Sequence, residues 1–119
     1  IVSQIDFLNS IASLIGSKIR SKDGKELDDL LFNNSGTGRK DLILEAQTKR
    51  ALRSQNWILI PPHQGPKMNP NTNIESGRSD NYQLYNLNFD ISQENNLANS
   101  NSEKLKEMIN RYQDIIGKK

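Results

Sequence analysis

An α+β fold is what this 119-residue chain predicts: a four-stranded antiparallel sheet packed by one amphipathic C-terminal helix. Two observations carry that expectation. Short runs rich in β-branched, aromatic and leucine residues lie between turn signals in the middle of the chain. Between Ser102 and Ile116, apolar residues recur at spacings of three and four, making a stripe wide enough to cover one face of such a sheet.

Residues 3 to 15 place Ile5, Leu8, Ala12 and Ile15 on one helical face with Ile11 and Leu14 beside them, and Ser3 to Asp6 has capping-box spacing. Gly16 stops the helix. The stripe is wide enough to want cover on more than one side, and the remainder of so short a chain is not expected to supply it. Residues 17 to 40 are polar and rich in turns, with Asp23-Gly24 as a turn, a helical patch at Leu27, Leu30 and Leu31, and a flexible loop from Asn33 to Gly38. Strand character follows in Asp41–Ala46, in Lys49–Arg53 and, after the turn residues Ser54-Gln55-Asn56, in Trp57–Ile60.

The stretch from Pro61 to Asn81 is rich in Pro, Asn and Gly and exceeds the roughly 12 to 15 residues usual for an unstructured connection, which marks it as functional or disordered. Tyr82 to Leu87 alternates as a fourth strand. In the last helix Leu105, Met108, Ile109, Tyr112, Ile115 and Ile116 make the apolar stripe, Lys104, Lys106, Glu107, Arg111 and Asp114 the polar face, and Gly117 the end.

Composition narrows the chemistry. The absence of cysteine removes disulfides, thiolate metal sites and a cysteine nucleophile, and a single histidine, His63, cannot build a site alone. A net charge of +2 spread along the chain is not the basic stripe that nucleic acid demands, so nucleic acid is not an expected partner. No apolar run is long enough to span a bilayer, and Ile1-Val2-Ser3-Gln4 is not a signal peptide. Starting at Ile1 rather than Met, the chain is expected to have been cut from something longer.

Other patterns have plain explanations. Gly36-Thr37-Gly38-Arg39-Lys40 lacks the spacing and the preceding strand of a phosphate loop. Asp28-Asp29 and Glu103 with Glu107 read as solvated helix faces rather than acid/base pairs. Trp57, Tyr82 and Tyr85 on strands read as packing rather than a stacking platform. Asn33-Asn34-Ser35 fits a glycosylation sequon that arises often by chance.

Three segments resemble, in order, the type I, formylglycine-dependent sulfatases. Tyr82 to Ala98 resembles the closing stretch E-L-Y-D-L-x-x-D-P-x-E-x-x-N-L-A; Ala51 to Ile60 is similar to the hairpin A-[VL]-R-x-G-[DN]-W-K-x-I; Val2 to Gly16 is similar to the helix V-S-x-x-D-[LF]-x-P-T-L-x-x-L-A-G. Ile91 stands for the Pro of that pattern, Asn86 for the Asp, Gln55 for the turn Gly, and Asn9-Ser10 for Pro-Thr.

The resemblance, to a bacterial, arylsulfatase-like member, implies a division of the chain. Residues 1–40 would be the trailing helix and linker of an α/β catalytic domain, and 41–119 the C-terminal subdomain. The intact parent would hydrolyse aryl or carbohydrate sulfate esters with a formylglycine made from Cys or Ser and a divalent cation, calcium or magnesium. The residues two before Pro61, Pro62, Pro66 and Pro70 are Leu59, Ile60, Gln64 and Met68, so the precursor would lie upstream. Asp80-Asn81 imitates the metal-binding D-[NH]-G without its Gly.

Catalytic and metal residues are therefore expected to be absent, and the fragment to be structural and non-catalytic. In some members the loop after the Trp strand reaches the substrate, which makes His63 and Lys67 the substrate-binding candidates. The implied partners are the missing N-terminal catalytic domain and a sulfated substrate, with self-association of the fragment, and the implied location is periplasmic or secreted. The alternative is an independent glycan- or protein-binding module.

Overall fold

The structure is a computed structural model describing residues 1–46 and 49–117. The chain forms two compact units, Ile1–Lys40 and Asp41–Lys119.

In Ile1–Lys40 a 3-10 turn, Gln4–Asp6, runs into helix α1, Phe7–Leu14, and a single helical turn, α2, spans Asp28–Phe32. The orientation of α1 departs from the usual amphipathic rule. Of the expected stripe only Ala12 is buried, whereas Ile5, Leu8, Ile11, Leu14 and Ile15 are exposed and Asp6, Asn9 and Ser10 turn inward. Hydrogen bonding explains the inversion. Asn9 holds the segment after the helix from both ends of its amide, with Nδ2 donating to the carbonyls of Ser21 (3.1 Å) and Gly24 (2.7 Å) and Oδ1 accepting from Ser21 N–H (2.6 Å). Ser10 Oγ donates to Asp6 C=O (2.8 Å) and accepts from Leu27 N–H (2.9 Å). A Cβ on Gly24 would lie 2.7 Å from Ile5 C=O, so only glycine allows this approach. The two residues standing for the family's Pro-Thr pair thus do the fastening.

In Asp41–Lys119 the strands are β1 (Asp41–Ala46), β2 (Lys49–Ser54), β3 (Trp57–Ile60) and β4 (Gln83–Asn86), and the last helix is α3 (Ser102–Ile116). They form one antiparallel sheet of order β1-β2-β3-β4. The four-strand sheet with its C-terminal helix is the architecture the patterning predicted.

Register places one apolar row across all four strands: Ile43 opposite Leu52, Leu52 opposite Leu59, Leu59 opposite Leu84. Leu52, Leu59 and Leu84 are fully buried with Met108 and Ala98, and Leu105, Ile109, Tyr112 and Ile115 of α3 pack on them. Arg111 ties α3 to the sheet through two parallel bonds, Nε to Asp41 Oδ1 and Nη2 to Asp41 Oδ2, both 2.6 Å. Asn101 caps α3 by accepting from Lys104 N–H (3.3 Å).

After β4, Asn86 Oδ1 accepts from Asn88 N–H (3.0 Å), so the amide forms the turn that an Asp would form. Asp90 accepts from Glu94 and Asn95 N–H (3.0 and 2.8 Å), and these backbone bonds hold its carboxyl below the usual range. Asn96 Oδ1 accepts from Leu84 N–H and Ala98 N–H, both 3.0 Å, while Leu97 N–H donates to Leu84 C=O at 2.8 Å.

Candidate functional site

The chain leaves β3 through Pro61 and Pro62, which have no N–H to extend a ladder and stiffen the exit. His63 follows, and its N–H donates to Ser79 C=O at 3.1 Å, joining the two ends of the loop. Between them the loop bonds to itself: Ser76 N–H to Lys67 C=O (2.8 Å), Ser76 Oγ to Pro66 C=O (2.6 Å), Asn69 N–H to Ile74 C=O (2.8 Å), and a bridge between Met68 and Glu75. The long stretch is therefore a self-bonded excursion.

His63 borders two hollows of about 210 Å³ each. The first has an apolar lining that includes Leu44, Ala46, Ala51 and Ile60, whose alternation puts them on the sheet face opposite α3. The second is formed with Arg50, Pro61, Pro62 and Tyr112. A third hollow, about 350 Å³, adjoins through Ala46 and Ser76 and reaches Asn69, Thr72 and Ile74. Lys49 borders all three.

Polar groups here are unequally committed. Arg50 Nη2 donates to Glu45 Oε1 at 3.3 Å, whereas Lys49 makes no ion pair among the described residues. His63 Nδ1 is buried without a hydrogen-bond partner, as is Arg78 Nε. Arg78 Nη2 and Gln64 Nε2 both donate to Asp80 Oδ1 at 3.1 Å.

Of the two sequence candidates, His63 therefore lies in the hollows and Lys67 lies exposed on the loop, lining neither of the hollows that His63 borders. Sequence reasoning missed Lys49. Its only signal was a lysine opening a strand, which is commonplace.

The remaining motifs are occupied. Arg39, in the glycine-flanked run, is bound to Asp6. Asp28 and Asp29 accept local bonds from Ser13 (3.4 Å) and Asn33 (3.1 Å). Glu107 pairs with Lys104, whose ammonium also sits 5.4 Å from the centre of the Trp57 ring. Trp57 and Tyr82 pack on the core, and Tyr85 is buried with its hydroxyl donating to Gln83 at 2.8 Å.

Asp80-Asn81 gathers no ligand set: among the described residues no group of three or more His, Cys, Asp or Glu is placed to hold a metal. With neither Cys nor Ser two residues before any proline, and no such ligand set among the described residues, these residues do not fit a formylglycine or its cation. No helix among the described residues is long and apolar enough to cross a membrane. What the site offers is an apolar floor, a cation and an imidazole nitrogen without a hydrogen-bond partner.

No family model matches the chain. A curated relative, the N-acetylgalactosamine-6-O-sulfatase of Bacteroides thetaiotaomicron, is 28% identical over 117 residues, covering 95% of this chain and 23% of its own length. A solved structure, described under the metabolism of multiple glycosaminoglycans by Bacteroides thetaiotaomicron, superposes with a TM-score of 0.84 at 26% identity over 95% of this chain and 24% of its own. Another, a protein in complex with its substrate D-glucosamine-2-N,6-O-disulfate, shares the fold with a TM-score of 0.64 at 20% identity, over 92% of this chain and 23% of its own. The chain spans about a quarter of the length of each relative. In sequence along nearly its whole length, and in fold, it matches the C-terminal part of a sulfatase.

Proposed function

We propose that this chain completes a sulfatase that hydrolyses sulfate esters of carbohydrates, amino sugars in particular, and that it supplies structure and part of the substrate entrance rather than the reacting groups. Residues 1–40 are then the trailing helix and linker of the catalytic α/β domain, and 41–119 the C-terminal subdomain. The formylglycine and its cation, calcium or magnesium, belong to the rest of the intact protein.

The observation that carries this reading is the inverted helix. Val2, Ile5, Phe7, Leu8, Ile11, Leu14, Ile15 and Ile19 are each at least 42% exposed. Full burial of one such side chain is worth about 1.5–3 kcal/mol, so a contiguous set marks a surface built to be covered. The catalytic domain of the same protein is the cover that the relatives' greater length supports.

The loop from Pro61 to Arg78 then reaches the substrate, His63 through its hollow and Lys67 as an exposed cation that steers an anionic sugar. Sulfate release from N-acetylgalactosamine 6-sulfate, assayed in the intact protein and in the isolated chain, tests the reading. The intact protein should turn over. The isolated chain should not, and should self-associate until Leu8→Lys and Leu14→Lys are introduced together. An intact protein that releases no sulfate, or an isolated chain that stays monomeric and binds glycan unaided, would replace this reading with that of an independent binding module.

A further inference from the structure

Residues 66–76 bond only to themselves. Among the described residues their hydrogen bonds are Ser76 N–H to Lys67 C=O, Asn69 N–H to Ile74 C=O and Asn73 N–H to Asn69 C=O, each 2.8 Å, with Asn71 N–H to Asn69 Oδ1 (2.9 Å) and Ser76 Oγ to Pro66 C=O (2.6 Å). None leaves the segment. Just outside it the chain is fastened: His63 N–H donates to Ser79 C=O (3.1 Å), Gln64 Nε2 and Arg78 Nη2 to Asp80 Oδ1 (both 3.1 Å), and Gln83 Nε2 to Gly77 C=O (2.8 Å). A unit stiff within itself thus stands on a fixed neck.

The joints between unit and neck are Gly65 and Gly77, at φ +137° and +66°. A Cβ added at Gly77 would meet nothing within 4 Å, and one at Gly65 only the end of the Lys49 side chain, 3.5 Å away at Nζ. Both joints therefore have backbone freedom and space to turn, which is what a hinge needs. The hollow of about 350 Å³ lies between this unit and the ends of β1 and β2, with Thr72, Ile74 and Glu75 on one side and Ala46 and Lys49 on the other. Glu75 and Lys49 line the same hollow, and neither forms an ion pair among the described residues, whereas Arg50 is engaged by Glu45. Ile74 is 66% exposed.

We infer that residues 66–76 are a lid, which swings on Gly65 and Gly77 and shuts against the ends of β1 and β2, with Glu75 pairing with Lys49 and Ile74 packing on Ala46. Closure breaks no hydrogen bond of the lid, because the lid holds none outside itself. It gains one ion pair and one apolar contact. That the hollow beneath belongs to a substrate entrance rests on the sulfatase reading; the hinge and its latch do not.

Disulfide trapping in the intact protein reads the motion. A disulfide needs Cα atoms within about 7 Å of each other, so Ala46→Cys with Ile74→Cys should cross-link under mild oxidant as the lid shuts, and mass spectrometry of a digest identifies the bond. Adding Glu75→Gln should slow cross-linking about threefold, the magnitude of one partly exposed ion pair. Lys49→Glu should slow it too, and Lys49→Glu with Glu75→Lys should restore the rate. Thermal melts identify any variant that fails to fold, and the swapped pair, which conserves charge, carries the test if a single change melts early. No cross-link, or equal rates in the Glu75→Gln, Lys49→Glu and swapped proteins, would overturn the lid. Sulfate release is read separately in the oxidised and reduced forms: release lost on oxidation and regained on reduction supports a lid over the entrance, and release that oxidation leaves unchanged would overturn that placement. Cross-linking that follows the charges in a protein releasing no sulfate in either form keeps the lid and removes the sulfatase reading.

Discussion

Arg39 closes its guanidinium on both carboxylate oxygens of Asp6, 33 residues away, with Nε 2.8 Å from each. The carboxylate is fully buried and also accepts from Lys25 N–H (2.9 Å) and Ser3 N–H (3.1 Å). A helix, a loop and the end of the first unit thus converge on one charge.

Burial pushes the Asp6 carboxyl up, but the bonds from Arg39, Lys25 and Ser3 overcome it and hold the pKa at about 2, against 3.8 for a free side chain. The native pKa is the depressed one, so the contribution is complete above about pH 4 and is lost as pH falls toward 2. The shift corresponds to about 2 kcal/mol. Asp6→Asn should abolish that acid dependence and cost about 3 kcal/mol at neutral pH, because Arg39 is left with a weaker partner. Amide exchange at Lys25, measured against pH, reads both effects.

Arg111 makes a bond of the same form to Asp41, but the two side chains are 30% and 22% exposed. Solvent competes there, and Arg111→Met should cost about 1 kcal/mol, with much of the contribution lost in high salt. Urea midpoints at low and high ionic strength check this, and a salt-independent loss would contradict it.

Gln55 stands at φ +52°, where the related hairpin has glycine. A left-handed conformation costs a residue with a side chain roughly 1–2 kcal/mol, part of which glycine returns through its freer unfolded chain. Gln55→Gly should therefore stabilise the hairpin by about 0.5–1 kcal/mol, seen as a raised melting temperature.

Leu59 is wholly buried in the row that crosses the sheet. Leu59→Ala should cost about 2–5 kcal/mol from lost transfer energy and the cavity left behind. Chemical denaturation of the Asp41–Lys119 unit measures it, with Leu44→Ala, on the exposed part of β1, as the mild comparison.

What could be read in advance follows from what repeats. Short strand-type runs between turn signals placed Ile43, Leu52 and Leu59 on strands, alternation placed Leu84 on a fourth, and the three-four spacing of Leu105, Met108, Ile109 and Tyr112 placed them on the helix that covers them. The same spacing gathered Ile5, Leu8 and Ile15 on a face of α1 for which the chain was not expected to supply cover, and they are exposed; what it did not reveal is that Asn9 and Ser10 turn inward, held by bonds to Ser21, Gly24 and Leu27. Such bonds join residues by fold, with no period to betray them. Arg39 lies in a glycine-flanked run, and its partner is Asp6, which also forms the capping box with Ser3 that the spacing predicted. Lys49 was invisible for a like reason: it borders the same hollows as His63 only because β3 returns beside β2 and the chain leaves it through two prolines.

Asn96 has a consequence beyond the turn it closes. Its side-chain oxygen and the Leu97 N–H occupy both outward backbone groups of Leu84, so a foreign strand approaching that margin finds no donor or acceptor there. Bare strand margins are where proteins zip into aggregates. Asn96 and Leu97 together therefore deny a foreign strand its template at Leu84 on the β4 margin, a safeguard that no catalytic assay would register.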